Sequence, residues 1–149
     1  MLGARLLYRD GPFRDPEGTF MSDRLGVHPR AEARIAMMRL SANLNIEIFQ
    51  YEAPDQQTEA PRVSDHGTHH IATQVDDMAA ALERLRAVEG VEVLAGPTAL
   101  DHGPSAGLQF IYFRTPWALV MEMIEAPASM PYEAQTDARM YDSPPAPEA

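Results

Sequence analysis

The chain has 149 residues, is 45% hydrophobic and 23% charged, and carries a formal net charge of −10. That length suffices for one domain with a real core, and the acidity excludes nucleic acid as a partner, because phosphate binding needs a basic surface. With no cysteine there is no disulfide framework and no thiolate zinc site.

No apolar run approaches the roughly 18 residues of a membrane span, and MLGARLLYRDG reaches Arg5 and Asp10 too soon to hold a signal-peptide core. A cytoplasmic setting is the expectation. The acidity itself favours cationic ligands or metal ions over anionic ones.

In chain order, ARLLY (4–8) predicts a short strand. The turn-rich stretch that follows is loop, with a helical turn around Ser22–Leu25. ARIAMMRL (33–40) predicts a second strand and Ser41–Asn43 a polar turn. LNIEIFQY (44–51) is a third strand, and residues 52–67 form a connecting loop. HIATQV (70–75) reads as a strand. Asp76 or Asp77 caps the helix after it, Met78, Leu82 and Leu85 fall at helical spacing, and Gly90 stops it. VEVLA (91–95) is a strand closed by Gly96-Pro97, and TALDHGPSA is a polar loop. GLQFIYF (107–113) and residues 118–124 are two more strands, joined by a turn at Arg114-Thr115-Pro116-Trp117. Residues 128–149, rich in proline and small polar residues, are expected to be a poorly ordered tail.

Two of these strands place a glutamate among apolar residues. LNIEIFQYEAP sets Glu47 between Ile46 and Ile48, and LVMEMIEAP sets Glu122 between Met121 and Met123. Side chains alternate across a strand. Asn45, Glu47 and Phe49 therefore share one face, as do Val120, Glu122 and Ile124. The opposite, apolar faces suit packing beneath a helix. A lone glutamate of this kind reads as solvated; two in matched positions point to a ligand, because a carboxylate among apolar neighbours is costly unless paired or bound to a cation.

THHIATQVDD adds an imidazole. Ile71 and Val75 pack toward the helix, so His70, Ala72 and Gln74 face the other way. One imidazole and two carboxylates from three strands suit a divalent ion such as Fe, Mn, Co, Ni or Zn. His66 and His102 sit in Asp-His-Gly turns and read as surface residues. Phe110, Tyr112, Phe113 and Trp117 read as core and turn packing, with a pocket lining as the alternative. Gln74 and Asn45 share the glutamate faces.

GTHHIATQVDDMAAALERL, GVEVLAGPT and GLQFIYFRTPWALVMEMIE together resemble the vicinal oxygen chelate superfamily, which includes glyoxalase I, methylmalonyl-CoA epimerase, extradiol dioxygenases and bleomycin-resistance proteins. LNIEIFQYEAPDQQ resembles the end of the first module in glyoxalase-like members, so the likeness spans residues 4–127. It implies an α+β fold of paired βαβββ modules forming a cupped mixed sheet over residues 1–127. It also implies a metal held by Glu47, His70 and Glu122, with Glu122 or Glu47 as the proton-transferring group.

The likeness has two departures. His70 precedes Glu122 by 52 positions, and the same interval back from Glu47 passes Met1. The first module is therefore expected to lack its opening strand, its helix and the fourth ligand, and a homodimer would cover the exposed edge. Ala118 stands where relatives often carry Gly after Pro-Trp. Functionally, the resemblance implies a metal-dependent lyase, isomerase or epimerase, or dioxygenase acting on a small oxygen-chelating substrate. The alternatives are a metal-free binding protein of the drug-resistance kind and an inactive, N-terminally truncated chain.

Overall fold

The computed structural model describes residues 4–40 and 44–140, so the polar turn at 41–43 and the end of the expected tail lie outside the described residues. Contacts divide the chain into two units, Met1–Pro61 and Arg62–Ala149. Strands and a few short helices make up both, in keeping with the α+β class. No helix among the described residues is long and apolar enough to cross a membrane.

The first unit comprises β1 (Arg5–Phe13), α1 (Phe20–Leu25), β2 (Glu32–Arg39) and β3 (Asn45–Glu52). Its strands form an antiparallel sheet in the order β1-β2-β3. β1 runs five residues past the expected strand because it bulges rather than stops, with register shifts between Leu6 and Tyr8 and between Asp10 and Phe13. Gly11 serves the second bulge. Its φ is 106°, and a Cβ there would lie 2.8 Å from the Ala33 carbonyl oxygen.

α1 lies where a helical turn was expected, around Ser22–Leu25. α1 does not lie under the Ile46/Ile48 face. Its Met21 is buried with Ala31 and Ala33, against Tyr51. Tyr51 pairs with Ala33, and Glu47 with Met37, so α1 caps one end of the glutamate face. Ile48 on the other face stays exposed.

The second unit comprises β4 (Ile71–Gln74), α2 (Met78–Arg86), β5 (Glu92–Val93), β6 (Thr98–Ala99), β7 (Gln109–Arg114), β8 (Val120–Glu125) and a 3-10 helix at Pro131–Ala134. Its sheet runs β4-β8-β7-β5, with β6 also pairing β7. β4 is parallel to β8, and the other pairs are antiparallel. The two units share a plan. β3, β2 and β1 correspond in order to β8, β7 and the β5–β6 pair, with a Gly-Pro at the bulge of β1 (Gly11-Pro12) and another between β5 and β6 (Gly96-Pro97). Nothing among the described residues of the first unit corresponds to β4 and α2.

α2 starts where two carboxylates satisfy its first backbone amides. Asp77 accepts from the Ala80 amide at 2.9 Å and Glu125 from the Met78 amide at 2.6 Å. It ends at Arg86 rather than reaching Gly90, with Ala87 as the capping residue. Met78, Ala81, Leu82 and Leu85 are its buried face, and α2 lies against β5 and β8. The same burial takes in Ile111, Phe113, Met121 and Met123, one face of β7 and β8. Each such side chain contributes about 1.5–3 kcal/mol by leaving water.

Residues 128–140 are not the loose start of a tail. Met130 is buried with Leu108 and Ile124, and Tyr132 packs on that cluster. The Tyr132 amide donates to the Pro104 carbonyl at 3.0 Å, and its hydroxyl accepts from the Met140 amide at 2.6 Å. Proline and small residues predicted disorder there, but Met130 and Tyr132 supply apolar area enough to hold the segment.

The β7–β8 turn explains Ala118. Its φ is 66°, the left-handed region that favours glycine. The Ala118 amide donates to the Thr115 carbonyl at 2.8 Å, and the Thr115 amide to the Leu119 carbonyl at 2.9 Å. Trp117 projects from this turn and is 64% exposed rather than packed. Ala118→Gly is expected to raise the unfolding free energy by about 0.5–1 kcal/mol, the left-handed cost relieved less the entropy glycine adds. Urea unfolding of the two proteins checks this, and a lower midpoint for the glycine variant would refute it.

Candidate functional site

β8 is the inner strand between β4 and β7, and its alternation decides what each face carries. Met121 and Met123 point to the α2 side. Val120, Glu122 and Ile124 point to the other. Glu122 pairs with Ala72 on β4 and with Tyr112 on β7. It is only 8% exposed although it is a carboxylate, so its partners matter more than its exposure.

Two side chains answer it. His70, one residue ahead of β4, brings Nε2 to 3.1 Å from Glu122 Oε2, with its own side chain 39% exposed. Tyr112 is the register partner of Glu122 across β7–β8 and stands on the same face. The Tyr112 ring also meets the His70 ring edge to face, centroids 5.3 Å apart at 86°, and Phe110 braces it from the far side at 5.6 Å. Burial first, and then the Glu122 carboxylate beside it, raise the Tyr112 phenol above the ordinary 10.0. The Thr73 hydroxyl donates to the Glu122 carbonyl at 3.3 Å, tying β4 to β8 beside the pair.

Past Ile124 the same face turns apolar. Leu108, Ile124 and Met130 are buried there, with Phe110 packed on them. The face thus has a polar end at His70 and Glu122 and a dry end under the 126–134 segment. Gln74 opens onto the polar face as an exposed side chain.

Glu47 stands on β3 of the first unit and is exposed. Tyr51, two positions further along the same face, is stacked on Phe49 at 5.3 Å. Its phenol is raised, first by burial and then by the Glu47 charge. Asn45 is engaged by Arg39, whose Nε donates to Oδ1 at 2.9 Å. His66 and His102 are exposed, and His102 pairs with Asp101 beside it.

Of the three expected donors, then, the second unit brings together His70 and Glu122. Within either unit taken alone, the described residues gather no group of three His, Asp or Glu side chains able to hold a metal. The pair fits a divalent ion as two of its donors: an imidazole nitrogen and a carboxylate oxygen face one another, with an exposed approach along Ala72 and Gln74. Tyr112 is the residue that sequence alone missed. Its signal was its alternation parity, which places it away from Ile111 and Phe113.

Ionising Tyr112 is harder in the folded chain than in the unfolded one. Its contribution to stability is therefore intact below pH 10.0 and is lost as pH climbs through the raised value. Glu122→Gln removes the charge that raises it. Ultraviolet titration of tyrosinate should show one phenol moving back toward 10.0 in that variant, and superimposable curves would contradict the contact.

The sequence model described as the Glyoxalase/Bleomycin resistance protein/Dioxygenase superfamily matches residues 2–112. The 2-epi-5-epi-valiolone epimerase of an Actinomyces species is 46% identical over 141 residues, spanning 95% of this chain and 76% of that protein. Among solved structures, a glyoxalase family protein from Bacillus cereus superposes with a TM-score of 0.61 at 21% identity, over 84% of this chain and 79% of that one. That likeness bears on the fold alone.

Proposed function

The chain belongs to the glyoxalase/bleomycin resistance protein/dioxygenase superfamily, and from that premise we propose that it is an epimerase acting on a small hydroxylated cyclic ketone of the 2-epi-5-epi-valiolone type. The observation that carries this is the 46% identity to such an epimerase across 95% of the chain. The buried carboxylate and adjoining imidazole on one sheet face suit the chemistry such a reaction needs.

Epimerisation next to a carbonyl breaks one C–H bond and remakes it on the opposite face of the same carbon. The proton passes to a base, the electron pair is held as an enolate, and a proton returns to the other side. In this proposal Glu122 is a proton-transferring carboxylate, and His70 and Glu122 are two donors to a divalent ion (Fe, Mn, Co, Ni or Zn). When bound, such an ion supplies a Lewis acid for the carbonyl and enolate oxygens. Glu47, on β3, is proposed as the third donor and second proton-transferring carboxylate; its part rests on the family resemblance. Gln74 lies on the polar face as a neutral hydrogen-bonding group for substrate hydroxyls.

The test is conversion of 2-epi-5-epi-valiolone in deuterated water, followed by proton NMR. The metal-supplemented chain should form the epimer with deuterium at the inverted carbon. A chelator should stop it, and added divalent metal should restore it. Glu122→Gln should lower kcat by about 10²–10⁴-fold, the usual contribution of a positioned acid–base group. A chain that leaves the ketone unchanged, or a Glu122→Gln variant as fast as its parent, would defeat the proposal.

A further inference from the structure

We infer that Ala72 sets the size of substrate this site admits: it is the low point beside Glu122, and the substrate ring lies over it between His70 and Gln74. The inference rests on the epimerase reading of the same site and adds to it the residue that gives the ring its room.

The positions around Glu122 on its face are not alike. Along β8 they are Val120 and Ile124, both 8% exposed. Across the β7–β8 pair stands Tyr112, and across the β4–β8 pair stands Ala72. Of these four only Ala72 is exposed, and its side chain is a single methyl. Adjacent strands lie about 4.8 Å apart, so the space over that methyl opens directly onto the Glu122 carboxylate. His70 and Gln74 flank Ala72 on the same face, both exposed. Four residues of extended chain put them roughly 13 Å apart. That leaves room for one six-membered ring, with an imidazole at one end and a neutral amide at the other.

Neither packing nor strand propensity calls for alanine here. Ala72 is exposed, so no core neighbour limits its size. Alanine is depleted in strands, and the residues on either side, Ile71 and Thr73, are β-branched. A valine at 72 would suit the strand better. What it would remove is the space beside Glu122.

The experiment compares the parent, Ala72→Val, Ala72→Leu and Glu122→Gln, each as the full chain supplied with Mn²⁺. Steady-state conversion of 2-epi-5-epi-valiolone is measured together with Mn²⁺ affinity and thermal unfolding on the same samples. Ala72→Val should lower kcat/KM by about 10–200-fold, the range that one methylene commands in a fitted pocket. The loss should lie in KM, because bulk over position 72 excludes the ring before any bond changes. Ala72→Leu should lose at least as much. Both should bind Mn²⁺ like the parent and unfold no earlier, since neither removes a donor. If both turn the ketone over like the parent while Glu122→Gln does not, the epimerase reading stands and the role of Ala72 falls. If they lose Mn²⁺ affinity or unfold earlier in step with lost turnover, the added bulk disturbs the donors or the sheet, and the inference is wrong. If the parent leaves the ketone unchanged, the epimerase reading fails and the inference goes with it.

Discussion

A carboxylate on the inner strand of a sheet is tolerated only if its neighbours answer its charge, and in the second unit that requirement organises the face around Glu122. Its answer is an imidazole from just ahead of one neighbouring strand, with a phenol beside it on the other. What keeps the carboxylate on that face is the packing on the reverse. Met121 and Met123 are buried beside Ile111 and Phe113, and α2 lies against the same strand. Slipping β8 by one residue would drive Glu122 toward α2 and expose the methionines. The hydrophobic core thus sets the register, and the register sets which groups meet at Glu122.

The two units repeat this plan without repeating its chemistry. Both carry a glutamate in the last strand, and both bring a tyrosine to it. In the second unit the tyrosine stands opposite, across the β7–β8 pair. In the first, the position opposite Glu47 is Met37, and the tyrosine, Tyr51, lies along the same strand. Glu122 is buried with two polar partners, whereas Glu47 is exposed. Duplicated sequence patterns fix which face a side chain takes; the strand beside it fixes its environment. Equal motifs can therefore carry unequal roles.

Strand alternation was enough to put His70 and Glu122 on one face, because a period of two is readable from a few residues. The register between β7 and β8 was not readable, since it depends on how the Thr115–Leu119 turn closes, and that turn holds a left-handed Ala118 no local propensity favours. Without the register, Tyr112 looked like one more aromatic in FIYF. Trp117 was misjudged for a related reason: it is the third residue of the Thr115–Ala118 turn, which projects beyond the strands and leaves it exposed. The 128–140 segment was misjudged because composition averages over residues. Two apolar side chains, Met130 and Tyr132, are enough to anchor it. The helical turn around Ser22–Leu25 was legible as a turn, but not that its Met21 would reach the Ala33 and Tyr51 end of the glutamate face.

The division of the Glu122 face into polar and dry ends bears on the proposed chemistry. Removing a proton from carbon demands a carboxylate that is accessible to substrate yet not fully hydrated, since water weakens both its basicity and every charge interaction near it. Ile124, two residues from Glu122 on the same face, is sealed by Met130, and Phe110 carries that apolar surface up to the Tyr112 ring. One side of the carboxylate is therefore dry, while the His70 and Gln74 side remains open. The hydroxylated ring proposed as substrate would meet hydrogen-bonding groups on the open side and apolar packing on the dry side, next to the proposed base. The 126–134 segment is thus more than an appendage to the fold. By covering Ile124 and Phe110 it keeps dry the apolar end of the face on which Glu122 stands.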